Sequence, residues 1–493
     1  MSPPTAIDVV EKGTDGFDTA LGKSDHVNPD HPQNWTMAKK VRTIIILGLM
    51  NILGTAASSI LSPGQKEIMR EFDIDQEVAI LTTTLFLVGY IFGFLTFGPL
   101  SEKFGRKWPL IIGVTVSSLF ELMPALGTNI TTILLGRFFA GLFGISPVAV
   151  MGGVVSDCFA TAQRGTAMAI AVGLMFSGPT FGPVFGGFIV ASSLHWRWTM
   201  WVIIICGLGL SLIAVLLFPE THPPIVLDRA AAAAAAAEKK NLETPSIDKV
   251  LDISAEKESL SIAQVARLYL IRPFWLISTQ PILFLLTLYQ SILYGILYLF
   301  YQSYPYTYGD LRGWRTGLNT LPLLGINVGV ALGALAMILY NALYFRHHCH
   351  DPSTGKFIPE TRLPPMILGA IFIPVGMFWY AWTASPAIYW ASSVCSNLFI
   401  GCGMYLLFIQ GFSYIVDCYT AMANSALGVN GAMRSVFAAS FPLFASQMLH
   451  GLGVAEATTV LGAVCVVLVP VPVCFWYWGG RLRVWSEGRV FSG

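Results

Sequence analysis

At 493 residues, with 54% hydrophobic and 12% charged side chains and a mean hydropathy of +0.64, the chain is too apolar for a soluble multidomain enzyme. A net charge of +1 leaves no basic stripe to neutralise phosphates, which excludes nucleic acid as a partner. The composition is that of a polytopic membrane protein. Residues 1–40 are polar and lack an apolar core of signal-peptide type, as expected of a disordered cytoplasmic tail. Within that tail Gly16 and Gly22-Lys23-Ser24 approach a phosphate loop, but five residues separate the glycines where the motif needs four. Without a nucleotide site, any transport must draw on an ion gradient or run downhill.

From Val41 onward, apolar runs of about 20 residues recur, each long enough to cross roughly 30 Å of hydrocarbon. They predict spans 1–6 at 41–62, 79–99, 108–127, 132–157, 168–191 and 199–218. Spans 7–12 follow at 274–300, 316–342, 364–383, 388–416, 424–449 and 456–478, and a cytoplasmic tail covers 479–493. The interval 219–272 carries eight consecutive alanines, Ala230 to Ala237, mixed charges and Pro245, and reads as a cytoplasmic linker, partly helical along the alanines. Six spans, a linker and six more predict an all-α membrane protein of two pseudo-symmetric six-helix bundles, 41–218 and 274–478, with the substrate site between them.

Span 5 contains GLMFSGPTFGPVFGG, which places Gly178, Gly182 and Gly186 four residues apart with Pro179, Pro183 and Gly187 in the same frame. One helix face therefore loses its side chains and is built to touch another helix. Span 8 offers Gly325, Gly329 and Gly333 at the same spacing, so these two spans are expected to meet across the halves. Two prolines four apart are tolerable in a membrane because neighbours re-satisfy the freed carbonyls.

Lysine and arginine set the orientation. Twenty-two of the 29 basic residues fall in the tails and in the loops after spans 2, 4, 6, 8 and 10, which predicts cytoplasmic termini. Arg137 and Arg434 fall inside spans, where a cation needs a reason. The sequon Asn129-Ile130-Thr131 would face outward on a very short loop. The eight cysteines follow no regular pairing and are expected as small hydrophobes. His347-His348-Cys349-His350 has metal-ligand residue types, but adjacent ligands cannot all converge without strain, and no metal or cofactor is expected.

The loop after span 2, Gly98 to Leu110, sets Glu102 among Lys103, Arg106 and Lys107 around Gly105, and can act as a gate latch by pairing differently in two conformations. This pattern resembles the signature loop of the major facilitator superfamily, with Glu102 where Asp is more usual. The stretch Leu134-Leu-Gly136-Arg137-Phe-Phe-Ala-Gly141 is similar to that superfamily's second motif, whose arginine is implicated in proton coupling. The span-5 stretch resembles its antiporter motif, GPxxGPxxGG. With HWRWTMW, PETHPP, LYGILYLFYQSYP and PETRLPPMILG in order, the chain from Trp35 to Ser486 is similar to the fungal twelve-span drug:proton antiporters. The resemblance implies export, and sealing of the cytoplasmic interface by spans 5 and 8. Gln280 stands where relatives commonly carry Glu, and the second-half counterpart of the Gly98 loop, Tyr344 to Arg362, is degenerate.

Proton coupling needs a group whose charge changes through the cycle. Glu121, near the outer end of span 3, is either a coupling acid or a hydrated interfacial glutamate, and Arg137 either faces the cavity with a polar or acidic partner or snorkels to the surface. Asp157 and Asp417 occupy equivalent ends of spans 4 and 10, where gating or anchoring fits better than proton carriage. On span 7, Gln290, Tyr294 and Tyr298 share one face with Tyr301 beside them, and suit flat amphipathic molecules. Asn51, Phe176 and Asn327 are further candidates for the substrate wall. Together these predict a non-enzymatic, proton-coupled exporter of a hydrophobic or amphipathic small molecule, such as a secondary metabolite or toxin. It is expected as a monomer in the plasma membrane, conferring secretion, self-protection or drug resistance. A polyamine exporter, an uptake facilitator and a non-translocating nutrient sensor are the alternatives. A membrane-embedded enzyme would need an Asp-rich diphosphate motif, HExxH or a Ser/His/Asp set, and none is present in the sequence.

Overall fold

The computed structural model describes residues 30–159, 161–241, 272–345, 348, 358–419 and 423–490. The loop-like glycines Gly16 and Gly22, with Lys23 and Ser24, lie outside the described residues, as do His347, Cys349 and His350. The described residues are helical almost throughout. Span 1 runs Met37–Ser59, span 2 Gln76–Phe104, span 3 Lys107–Leu126, span 4 Ile130–Cys158, span 5 Thr161–Ala191 and span 6 Arg197–Leu217. Helix Pro223–Asn241 then carries the alanine run. In the second half, span 7 is Pro281–Tyr304, span 8 Leu324–Tyr340, span 9 Leu363–Thr383, span 10 Trp390–Cys418, span 11 Ala423–Leu452 and span 12 Val454–Arg483.

Eleven helices among the described residues are long and apolar enough to cross a membrane, one fewer than the sequence predicts. The twelfth is span 11, which has 30 residues, ample length, but carries Asn430, Arg434 and Ser435 through its middle. Its polar residues are buried because it packs along span 7 of its own half and span 2 of the other. Span 7 also starts later than the predicted 274. The segment Arg272–Thr279 forms a separate helix, and the chain breaks at Gln280, whose φ of −109° and ψ of 96° are extended. A residue before proline is pushed out of the helical region, and Pro281 follows. Span 3 likewise breaks beside Glu121, and span 4 breaks at Ile145, two residues before Pro147.

Within each half the closest pairs are spans 1 and 5, 2 and 4, 7 and 11, 8 and 10, and 9 and 10; between halves, span 2 lies along span 11 and span 5 along span 8. The expected meeting of spans 5 and 8 is present, but the glycine stripes do not make it. Gly178, Gly182 and Gly186 face span 1: a Cβ on Gly182 would lie 2.5 Å from both Ala56 O and Ser59 Oγ. Gly325, Gly329 and Gly333 face span 10 at Val394, Leu398 and Tyr405. Each stripe is thus spent inside its own bundle.

The prolines explain why. Pro179 and Pro183 cannot donate to the carbonyls four residues back, those of Met175 and Pro179. Thr55 Oγ1 shares its one proton between Asn51 O of its own helix at 2.6 Å and Met175 O at 3.2 Å, and Ser59 Oγ donates to Pro179 O at 3.0 Å, so two hydroxyls four apart on span 1 face two prolines four apart on span 5. Gly178 and Gly182 leave the room those hydroxyls need. Freed carbonyls in hydrocarbon cost several kcal/mol each if left unpaired, so this lattice fixes the register of spans 1 and 5. The opposite side of span 5 meets span 8, where Thr180 donates to Asn327 and Gly187 lies against Gly317 and Thr320.

Candidate functional site

Arg137 is fully buried and does not snorkel. Its Nη1 donates to Glu121 Oε1 at 2.7 Å, Nε to Thr82 O at 2.9 Å, and Nη2 to Ala57 O at 2.7 Å and Ser58 O at 3.3 Å. The guanidinium carbon sits 4.2 Å from the Phe86 ring centre. One side chain therefore ties spans 1, 2, 3 and 4 together. Glu121 is as fully buried, which rules out the hydrated interfacial glutamate, and its Oε2 has no hydrogen-bond partner among the described residues. Glu121 sits between the helical segments Lys107–Phe120 and Leu122–Leu126 with its own backbone still helical, and its carboxylate meets Arg137 of span 4. A buried ion pair is weak evidence for stability, because desolvation offsets its attraction, but breaking one partner leaves an uncompensated charge.

At the end of the bundle that carries both described termini, Arg106 Nε pairs with Asp157 Oδ2 at 3.0 Å and its Nη1 donates to Ser101 Oγ at 2.8 Å. Gly105 has a φ of +86°, and a Cβ there would collide with the Glu220 carboxylate. That carboxylate accepts the backbone N–H of Arg106 at 2.8 Å, Lys107 at 3.2 Å, Thr221 at 2.9 Å and His222 at 3.0 Å. Lys107 Nζ caps Val215 O at 2.9 Å. The sequence loop is thus pinned to the end of span 6 by Glu220, a residue the sequence reading passed over inside PETHPP. Burial, then the neighbouring Arg106, push His222 below the ordinary imidazole range, so it adds no charge beside Arg106.

The second half repeats the device despite its degenerate loop. Arg362 Nε pairs with Asp417 Oδ2 at 2.6 Å, and Arg483 approaches Glu360 at 3.7 Å. Arg106–Asp157 and Arg362–Asp417 occupy matching places, which the sequence had signalled only through the two aspartates. Between them stands Arg164 at the start of span 5, which interacts electrostatically with Asp417 of the other half as well as with Asp157.

Phe176, Tyr294, Tyr298 and Tyr301 come together midway along the helices. Tyr294 lies 5.1 Å from Tyr298 and 6.3 Å from Phe176, while Tyr298 lies 5.8 Å from Tyr301 between ring centres. Tyr298 Oη is 3.3 Å from Ser58 Oγ, across the halves and one residue from a carbonyl that holds Arg137. Gln290 departs from this group. It is buried between spans 7, 10 and 11, against Gly411, with Oε1 accepting Asn430 Nδ2 at 2.9 Å. Asn327 spends its Oδ1 on Thr180. Asn51 is fully buried, and neither of its amide atoms has a partner among the described residues.

Space between the halves is uneven. A cavity of about 20 Å³, bordered by Ser59, Thr83, Pro183, Tyr298, Tyr301 and Gln302, is room for a water or so. It leads toward a vestibule of about 390 Å³ at the end away from the termini, bordered by Gln65, Lys66, Tyr306, Asp310, Trp314 and His450. The Lys66–Asp310 pair at 2.7 Å and the Gln447–Glu77 bond at 2.9 Å cross between halves there.

Known proteins share this architecture. The family profile of the Major Facilitator Superfamily matches residues 47–442. The MFS-type transporter traF of Penicillium crustosum is 40% identical over 468 residues, 95% of this chain and 93% of that protein. The citrinin biosynthesis cluster MFS transporter mrr1 of Monascus ruber is 37% identical over 485 residues, 98% of this chain and 93% of its own. Among solved structures, the proton:xylose symporter XylE superposes with a TM-score of 0.63 at 14% identity, covering 90% of this chain and 96% of that one. The chain belongs to the Major Facilitator Superfamily and is a multi-pass membrane transporter, not an enzyme.

Proposed function

We propose that the protein is a proton-coupled antiporter that exports a hydrophobic or amphipathic small molecule. The observation that carries this reading is the Glu121–Arg137 pair, buried without exposure at the point where four helices of one half converge. When a proton adds to the unpartnered Oε2, Glu121 becomes neutral and the attraction to Nη1 falls. Arg137 is then free to lean on the carbonyls of Ala57 and Ser58. Those carbonyls sit on span 1 beside the Ser58–Tyr298 contact between halves, so proton loading is mechanically adjacent to the interface that must part.

Cargo binds between the halves on Phe176, Tyr294, Tyr298 and Tyr301, whose faces suit planar organic molecules. Several relatives take their names from biosynthesis clusters of fungal metabolites, which favours a secondary metabolite over a polyamine. The excess of lysine and arginine at the end with the termini supports a cytoplasmic side for that end. On that orientation the 390 Å³ vestibule faces outward, and the plasma membrane is the site of action. The two arginine–aspartate pairs and Arg164 close the cytoplasmic side in this conformation and release as it opens. The protein acts as a monomer that exchanges its cargo for protons moving the opposite way.

Purified protein in liposomes with an imposed pH gradient tests the mechanism, using a planar aromatic probe and a polyamine beside Arg137→Ala. Movement of the aromatic that follows the gradient and disappears in the variant is the expected result. Equal movement with and without the gradient defeats proton coupling and leaves a facilitator.

A further inference from the structure

Arg137 and Arg434 are both buried midway along spans, and they are answered differently. Arg137 has Glu121; among the described residues no acid pairs with Arg434 on span 11. Arg434 is 5% exposed, its Nε and Nη1 have no hydrogen-bond partner among the described residues, and the described titratable groups beside it are the phenols of Tyr294 and Tyr298. Its guanidinium carbon lies 4.7 Å from the ring centre of Phe412, 5.1 Å from Tyr294 and 5.6 Å from Phe408. Phe176, from the other half, lies tilted against Phe408 with ring centres 5.0 Å apart and closes the box. A cavity of about 40 Å³ beside Arg434 reaches Phe94, Met151 and Met175, so both halves border it.

The energetics are one-sided. Burying a cation is costly, and contact with aromatic faces returns only part of that cost. A second polar pair one turn away on the same two helices, Gln290 with Asn430, supplies no negative charge. What the site lacks is an anion, and a guanidinium with two idle donors binds carboxylate-like oxygens best.

We infer that Arg434 is the recognition group for an acidic oxygen on the cargo, and that the cargo is a planar conjugated acid, a carboxylate or an acidic enol or phenol. Its ring lies on the faces of Phe412, Phe408 and Tyr294 while its anionic oxygen takes the idle donors. The present cavity holds a water or a small ion, so a molecule of that size enters only when Phe176 and Phe408 separate as the halves part. The inference rests on the transport reading above and narrows its substrate class. It also gives spans 2, 5, 10 and 11 a shared task, since the charged cargo itself completes the interface between halves.

Full-length protein in lipid nanodiscs, titrated with 2-naphthoate and its uncharged isostere 2-naphthamide, provides the test. The unaltered chain, Arg434→Gln and Arg434→Lys are compared, with the melting temperature of each recorded. The acid is expected to bind about tenfold or more tighter than the amide, since hydrogen bonds to charged groups carry roughly 1.5–3 kcal/mol. That preference disappears in Arg434→Gln and is partly kept in Arg434→Lys. Equal affinity for both probes in the unaltered chain overturns the inference, as does a preference that survives in a folded Arg434→Gln. Displacement of naphthoate by equimolar inorganic phosphate overturns the aromatic part, leaving a plain anion site. Liposome flux separates the two readings: gradient-driven movement of both probes without preference defeats the anion assignment alone. Acid-selective binding with no movement of either probe supports Arg434 and defeats the exporter.

Discussion

Glu121 and Arg137 show how much a single buried pair controls at the scale of one residue. Arg137 makes four hydrogen bonds from one planar group, so lysine, a point charge with a different reach, cannot replace it. Arg137→Ala leaves Glu121 buried without its cation and removes a donor from three backbone carbonyls. Losing one partner of a buried pair costs about 3–5 kcal/mol, which should appear as a lowered unfolding temperature in detergent. Glu121→Gln keeps an acceptor for Nη1 and imitates the protonated acid. It should fold, retain substrate exchange at equal pH on both sides, and lose accumulation driven by a gradient. Accumulation at the unaltered level in Glu121→Gln would move the coupling site elsewhere.

Between elements, the contact of spans 1 and 5 is decided by glycine, proline and hydroxyl in register. A methyl at Gly186 would press into the Ile60 carbonyl, and one at Gly329 into Leu398 O, both backbone atoms that cannot swing aside. Overpacking of this kind costs about 1–3 kcal/mol. Gly186→Ala and Gly329→Ala should each lower the melting temperature, whereas Gly209→Ala on span 6 has nothing within 4 Å and should leave it unchanged or slightly raised. Thr55→Val should cost about 1–3 kcal/mol by stranding Met175 O, a carbonyl that Pro179 already deprives of its helical donor. A thermal scan of the four variants checks the set.

For the molecule as a whole, the two halves touch along spans 2 and 11 and spans 5 and 8, and exposed groups cross at the end away from the termini. Lys66 and Asp310 are too exposed for their pair to matter energetically, at roughly 0–1 kcal/mol. They do mark a distance that must change if the halves rock. With the exposed Cys206, Cys395 and Cys474 first replaced by serine, a short bifunctional thiol reagent on Lys66→Cys and Asp310→Cys should arrest transport, and a cleavable version should restore it on reduction. Undiminished flux through the cross-linked protein would show that this end does not open. The matched pairs at the other end predict a parallel loss: Asp157→Asn and Asp417→Asn should each loosen that side, visible as greater labelling of a cysteine placed at Leu427.

The sequence by itself determined the apolar runs, their grouping six and six, the family motifs and the suspicion attached to Arg137, because burial in hydrocarbon demands composition that can be read along one dimension. It also supplied the prolines and the glycine stripe. Only the tertiary structure decided what those features meet. Gly178, Gly182 and Gly186 turned to span 1 because its hydroxyls, 120 residues upstream, alone reach the carbonyls that the prolines free. Glu121 became a partner because span 4 brings Arg137 against it inside the bundle, and Gln290 left the tyrosines because Asn430 offers it a hydrogen bond. Glu220 and Arg362 lay inside quoted motifs and Arg434 stood out as a cation in a span, but nothing beside them in the sequence named their partners. Their roles arise from groups brought together across the chain, and a charge shows whether it is paired only when every neighbour that could answer it is in place.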